Sequence, residues 1–350
     1  MKGRVIALGQ IEGREAAALL DDGILTDLAI DPPEDAGPVP GAIFRARVGR
    51  MMKGQGGVFV DLPGGISGFL RQVRGLAPGQ TVLVQVTGPA EPGKAVPLTT
   101  RLLFKGRHAI VTPGAPGINI ARGLRDEARR AVLASLATDA MADCDAGLIL
   151  RSICDTAEDD AILADIAALR TLSGAVLADT AGPPELLVDG PSAHETAWRD
   201  WAYPVPDAVD DTPGAFDVLG VSDAIAGLLR PGIALPGGGS AVIELTRALV
   251  AVDVNTGTDT SPAAGLKANL ALGRDLPRQL RLRGLGGQVV IDFAPMPKRD
   301  RHVLDQALAA AFRRDGGDAA LAGWTPLGNY ELTRRRDRLP LSELMRADMP

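Results

Sequence analysis

The chain has few aromatic residues, cysteines or histidines. Phe, Trp and Tyr together make up 3% of its 350 residues, so an aromatic inside a regular element carries unusual weight. The two cysteines, Cys144 and Cys154, are not at zinc-ligand spacing and have no histidine beside them, which favours reduced, mostly buried thiols over a zinc site. His108 and His194 are isolated and read as surface or satisfied core residues. No apolar run reaches the roughly eighteen residues of a membrane span. The start, Met1-Lys2-Gly3-Arg4, leads into a short strand-like stretch without the apolar core of a signal peptide. The expectation is a cytoplasmic protein with no membrane partner. A net charge of −6 gives no global basic field, which argues against binding nucleic acid through bulk phosphate neutralisation.

What is present begins with 46% hydrophobic residues, ample for cores, in a length that fits about two or three domains. Two short apolar runs each carry an aspartate near their end. They are Leu249-Val250-Ala251-Val252-Asp253-Val254-Asn255 and Gln288-Val289-Val290-Ile291-Asp292-Phe293. Continuous β-branched runs read as strands buried on both faces, as in parallel sheets. A carboxylate there needs compensation, and two side by side repel unless a cation lies between them. The pair therefore points to a metal site and to hydrolytic chemistry. The other explanation is that each aspartate caps the N-terminus of a following helix.

Between the runs, Ser261-Pro262 reads as a helix start, and Leu266, Leu270, Leu276 and Leu280 recur near helical spacing, with Pro277 expected to kink the helix. Gly284, Gly286 and Gly287 end it. Strand, helix, strand with short links is a βαβ unit, which sets Asp253 and Asp292 at the carboxyl ends of parallel strands. Asn255 then faces the same side as Asp253, as a neutral ligand or an orienter of bound water.

Upstream, residues 41–88 read as short strands at Ala42–Val48, Gly57–Asp61, Gly68–Leu70 and Thr81–Thr87 between glycine-rich turns, a spacing that fits an OB-type barrel. Residues 106–185 are mixed α/β, with helical periodicity over Arg122–Leu136 and Glu158–Leu172 and a strand at Gly147–Leu150. The Pro/Asp/Gly-rich stretch 181–213 reads as loop. Gly237-Gly238-Gly239 lacks the Lys-Ser/Thr of a phosphate loop and reads as a turn. Arginines cluster near the acidic pair as Arg278/Arg281/Arg283, Lys298/Arg299/Arg301 and Arg334/Arg335/Arg336/Arg338. These are either a local RNA-attracting field or solvated helix faces.

The ordered blocks Leu249 to Gly257, Asn269-Leu270, Arg278 to Arg283 with Gly286-Gly287, and Val290-Ile291-Asp292-Phe293 resemble the core of the ribonuclease E/G family of single-strand endoribonucleases. Lys94 to Thr100 is similar to the family's barrel exit, and Gly147 to Ser152 to its 5′-phosphate-sensing strand. The resemblance implies an α/β multidomain fold. In it, a split RNase H-like domain (1–35 and 186–250) carries an inserted OB-type β-barrel (36–105) and an α/β 5′-sensor domain (106–185), followed by a DNase I-like catalytic subdomain (251–350). It implies magnesium, with manganese possible, held by Asp253 and Asp292 and oriented by Asn255. Hard carboxylate oxygens suit that ion. The expected products are a 3′-hydroxyl and a 5′-phosphate, made in RNA processing or decay.

By the same resemblance Phe59 and Phe69 match base-stacking aromatics, and Lys94 a contact to the RNA backbone; the alternatives are core phenylalanines and an ordinary surface lysine. Arg151 and Ser152 match the sensor pocket, against an arginine paired with Asp155 or Glu158. Arg334 matches a basic residue reaching the same phosphate. His302 lies in a basic segment and is a possible RNA contact without a catalytic role.

The chain departs from the family at Pro295 and Ala271, where acidic residues are usual, which thins the acidic shell. It ends at Pro350 without a paired-cysteine motif or scaffold tail. The expectation is therefore no zinc and a monomer or dimer rather than a zinc-linked tetramer, with single-stranded RNA as partner. The alternatives are a non-catalytic RNA-binding protein on the same scaffold and a metal-dependent DNA nuclease.

Overall fold

A computed structural model describes residues 2–52, 56–71, 75–91, 93–261 and 263–345, in two units. The first runs up to Gly23 and from Ala29 to Pro213; the second joins Ile24–Leu28 to the chain from Gly214 onward.

In the first unit, β1 (Arg4–Ile11) and β2 (Arg14–Asp21) form a hairpin. Its two turn residues, Glu12 and Gly13, both have positive φ, the twist that matches paired strands. The strand β3 (Ile24–Ile30) follows, its residues 24–28 belonging to the second unit. Next come β4 (Ile43–Met52), β5 (Gly57–Asp61), β6 (Ser67–Arg71), β7 (Thr81–Val86) and β8 (Val96–Thr99). They join in the order β4-β5-β6-β8-β7, and β7 pairs back with β4. This closes a five-stranded barrel in which β6–β8 is the parallel pair. Alternating residues, among them Val58, Val60, Leu70, Val84 and Leu98, fill its interior. The strand order and closure are those of an OB-type barrel.

A second sheet, with strands in the order β11-β12-β10-β9, comprises β9 (Phe104–Lys105), β10 (Ala109–Thr112), β11 (Ile118–Ile120) and β12 (Gly147–Leu150). It packs with α1 (Glu127–Ala140) and α2 (Asp159–Ala178) around Val111, Leu133, Leu148, Ile162 and Ile166. Although no run of about eighteen apolar residues is evident in the sequence, α2 has membrane-span length and a mean hydropathy of 1.6. Its Ile162, Ile166, Leu169 and Val176 are part of this core, and its Asp165 accepts the backbone N–H groups of His108 and Ala109.

The stretch expected as loop, 181–213, instead holds β13 (Glu185–Val188), α3 (Ala193–Asp200) and β14 (Ala208–Asp210). The two strands exist only through distant partners, β13 on β4 and β14 on β1. The helix had a readable signal: Ser192 and Glu195 form a reciprocal capping box.

The second unit opens with α4 (Ala215–Val218) and α5 (Val221–Leu228). A six-stranded sheet follows in the order β15-β16-β17-β18-β20-β19. Its strands are β15 (Gly232–Ala234), β16 (Ser240–Leu245), β17 (Val250–Asn255), β18 (Gly287–Asp292), β19 (Ala319–Trp324) and β20 (Tyr330–Arg334). The glycine run turns β15 into β16, as expected. The helices α6 (Ala264–Leu282) and α7 (Arg301–Asp315) pack on one face of this sheet, and the short α8 (Leu341–Leu344) follows.

Three expectations change here. First, β17 and β18 are not buried on both faces. Val250, Val252, Val254, Val289 and Ile291 point into the core beneath the helices, while Asp253, Asn255 and Asp292 are exposed on the other side. Only β17–β18 is parallel, and the remaining pairs are antiparallel, so one face needs no covering layer. Second, the boundary expected between residues 250 and 251 falls between hydrogen-bonded neighbours, because β16 pairs with β17 along its whole length. Third, α6 is capped at Ala263, not at Ser261, while Pro262 lies outside the described residues. Its buried stripe runs through Ala268, Leu272, Leu276 and Leu280. The helix continues through Pro277, and Gly273 admits Leu304 and Leu308 of α7 against its backbone.

Candidate active site

Asp253 and Asp292 are Cα partners across the parallel β17–β18 pair. Partner residues on adjacent strands stand about 4.8 Å apart and point to the same face. The two carboxylates therefore sit side by side at the strand ends, exposed, with like charge uncompensated by any cationic side chain bonded to them among the described residues. Asn255, two residues along the same face, donates its Nδ2 to Asp253 Oδ2 at 2.6 Å and fixes that carboxylate.

Asp292 is fixed differently. The fully buried Asn269 on α6 accepts the Ala294 N–H at its Oδ1 and donates from Nδ2 to the Ala294 carbonyl, both at 2.9 Å. A Cβ on Gly265, one turn earlier, would come within 2.1 Å of the Pro295 carbonyl oxygen. This face of α6 thus clasps the backbone that leaves β18. Asn269 lies in one of the ordered sequence blocks, but its role depends on a contact across 25 residues of chain.

A depression of about 240 Å³ adjoins the pair, with Val242, Ala251 and Val290 in its lining together with Glu244. The register explains the acid: Glu244 lies opposite Ala251, diagonal to Asp253. Glu331 occupies the matching place opposite Val290 on β20. Sequence reasoning passed over both, although two-residue alternation along a β16–β17 hairpin would have found Glu244. Among the described residues no group of three or more His, Cys, Asp or Glu is close enough to hold a metal ion, so the pair would rely on Asn255, water and substrate oxygens for its other ligands.

Most arginines expected around the pair are engaged elsewhere within the second unit. Arg278 bonds Asp275 and the Leu25 carbonyl, and Arg281 bonds the Thr26 carbonyl and pairs with Asp315. Arg338 holds Asp27, and Arg336 donates to the Gly286 carbonyl. Arg283 is buried against Gln279, and burial, with Arg278 nearby, pushes its guanidinium down to about 10. Arg334, matched by resemblance to a phosphate contact, is buried, donates to the Leu285 carbonyl and lies 3.8 Å from Asp315. Lys298 and Arg299 remain exposed in the segment that follows Asp292. Arg301 stacks on Trp324, 4.0 Å from its ring centroid. His302 is exposed, with Nδ1 2.6 Å from the Arg299 carbonyl.

In the first unit, Phe59 and Phe69 are register partners on the barrel's outer face, ring centroids 5.2 Å apart. Neither is in the barrel core, whose side of these strands is Val58, Val60 and Leu70. Gly57 makes their placement possible, since a Cβ there would stand 2.3 Å from the Phe69 ring. Lys94 is exposed and paired with Glu91 at 2.8 Å. Arg151 follows β12 and pairs with neither Asp155 nor Glu158; it donates to the Gly106 carbonyl and to Asp200 Oδ1, each at 2.8 Å. Ser152 opens the next turn, half-buried. The buried Cys154 thiol is pushed up to about 11 by burial and donates to the His108 carbonyl.

The profile of the Ribonuclease E/G family matches residues 205–337, which include the whole six-stranded sheet. Ribonuclease G of Salmonella typhimurium is 26% identical over 400 aligned positions, covering 95% of this chain and 80% of that protein. Ribonuclease G of Escherichia coli K12 shows the same identity and coverage. Ribonuclease E of Nostoc sp. is 29% identical over 77% of this chain, and the match spans 45% of that longer protein. The ordered blocks, the closed barrel and these alignments support a protein of the ribonuclease E/G family.

Proposed function

We propose that the protein is a magnesium-dependent endoribonuclease that cuts single-stranded RNA to leave 3′-hydroxyl and 5′-phosphate ends. The observation that carries this reading is the in-register pairing of Asp253 with Asp292 on one exposed sheet face. Two hard oxygen donors side by side, joined by Asn255, fit an octahedral divalent ion that keeps several waters. Such an ion, when bound, supplies an activated water and neutralises charge on the phosphoryl group. Asp253 and Asp292 hold it, Asn255 orients Asp253, and Asn269 orients the strand end that bears Asp292. Phe59 and Phe69 offer a stacking surface for bases, and Lys94 a backbone contact. Arg151 and Ser152 read a 5′-monophosphate, whereas Arg334, buried against the Leu285 carbonyl and Asp315, is given no part in that recognition. The same reading takes the barrel as RNA-binding, the 106–185 region as the 5′-end sensor, and the flanking regions as RNase H-like and DNase I-like.

The test is cleavage of an A/U-rich single-stranded RNA by wild type, Asp253→Asn and Asp292→Asn, with end-group analysis of the products. Wild-type rates in either variant, or 2′,3′-cyclic phosphate ends, would remove the metal-pair assignment. Salt-sensitive RNA binding with no cleavage in magnesium or manganese would select a non-catalytic RNA-binding protein instead. Equal cutting of DNA of the same sequence would select a broader nuclease.

A further inference from the structure

Trp198 is 64% exposed, while Trp201, which caps the C-terminus of the same short helix, is buried and 4% exposed. The helix is thus anchored by Trp201, and Trp198 is not needed for the core. Its indole is nonetheless held in place. The Arg107 guanidinium lies 3.6 Å from the ring centroid, and its Nη1 donates to the Trp198 carbonyl at 2.6 Å. The capping box of Ser192 and Glu195 fixes the start of the helix. One face of the indole is covered by a cation, and the exposure belongs to the rest of the ring.

The surroundings are charged. Arg151 donates to the carbonyl of Gly106, the residue before Arg107, and to Asp200, two residues after Trp198. Burial, and then the neighbouring Arg151, hold the Arg107 guanidinium below its ordinary range, and an anion beside the two guanidinium groups would offset their repulsion. A flat π-face beside the guanidinium groups of Arg107 and Arg151 is complementary to a base with its phosphate. A protein partner would be expected to meet a wider apolar surface than one indole flanked by charges.

We propose that Trp198, backed by Arg107, is a stacking platform for a nucleobase near the 5′ end of single-stranded RNA, at the phosphate cradle of Arg151 and Ser152. This rests on the reading of the protein as RNA-binding. The probe is a 5′-monophosphorylated A/U decamer with 2-aminopurine at the first, second or third position, bound to the full chain without divalent cations. Binding should quench the fluorophore at one of these positions. Trp198→Ala should abolish that quench and weaken binding about 5- to 150-fold, the worth of one stacked base. Trp198→Phe should restore most of it, and neither variant should shift the thermal midpoint. Unchanged affinity and quench in Trp198→Ala would overturn the platform while leaving RNA binding intact. So would self-association of wild type that Trp198→Ala alone abolishes. If wild type binds no RNA, the RNA-binding reading fails and the platform fails with it. If Arg151→Ala keeps the 5′-phosphate preference, the placement of the platform at that cradle is overturned, even where Trp198→Ala still loses the quench.

Discussion

The second unit handles its aspartates in two opposite ways. At the end of α7, Asp315 has a side chain only 4% exposed, flanked by Arg281 and Arg334, with Asp27 held nearby by Arg338 and Arg281. A carboxylate at a helix C-terminus is unfavourable, and a buried one more so, so this one persists because guanidinium groups compensate it. At the ends of β17 and β18, Asp253 and Asp292 stand together with like charge on an exposed face, held only by an amide and a backbone clasp. The first arrangement contributes to the fold. The second contributes little to it and leaves two oxygen donors directed at the same space. Arginines that look alike in sequence follow the same division, most of them serving buried carbonyls and carboxylates.

Substitution can break this comparison at either end. Asp253→Asn or Asp292→Asn should cost several kcal/mol of transition-state stabilisation, on the order of 10³-fold in cleavage rate, with an unchanged melting temperature. Asp315→Asn should do the reverse. The buried Arg334 and the half-buried Arg281 lose their shared carboxylate, stability falls by about 3–5 kcal/mol in denaturant titration, and chemistry persists in the folded fraction.

Asn269→Ala tests the link between the two ends. It leaves the Ala294 N–H and carbonyl unpaired inside the protein, at about 1–3 kcal/mol of stability. If the clasp orients Asp292, manganese titration followed by electron paramagnetic resonance should also show weaker metal binding. A Leu276→Ala variant, which leaves a cavity elsewhere on α6, should lose stability without that change.

The smallest effect expected is in pH dependence. Burial raises the Asp27 carboxyl, but the guanidinium groups of Arg338 and Arg281 and the Leu28 N–H outweigh it and hold the group below the ordinary carboxylate range. A carboxyl depressed in the folded state stabilises above its unfolded value and loses that contribution as pH falls through the folded one. The melting temperature should therefore fall below about pH 4 in wild type, and less steeply in Asp27→Asn.

Local chemistry determined much of this protein. The β-branched runs with terminal aspartates fixed β17 and β18, because alternation and branching leave few other conformations for such segments. Glycine-rich turns at regular spacing fixed the barrel strands, and four of its strands begin or end within a few residues of expectation. The order of blocks carried the family. Tertiary structure alone decided which face of β17 is open, since that depends on where α6 and α7 pack. It set Phe69 over Gly57, formed β13 and β14 from a loop-like stretch, and sent the arginines inward. Each of these rests on a contact between residues far apart in the chain. Such contacts form only when the folded state offsets the entropy of closing the loop between them, and no local pattern records that balance.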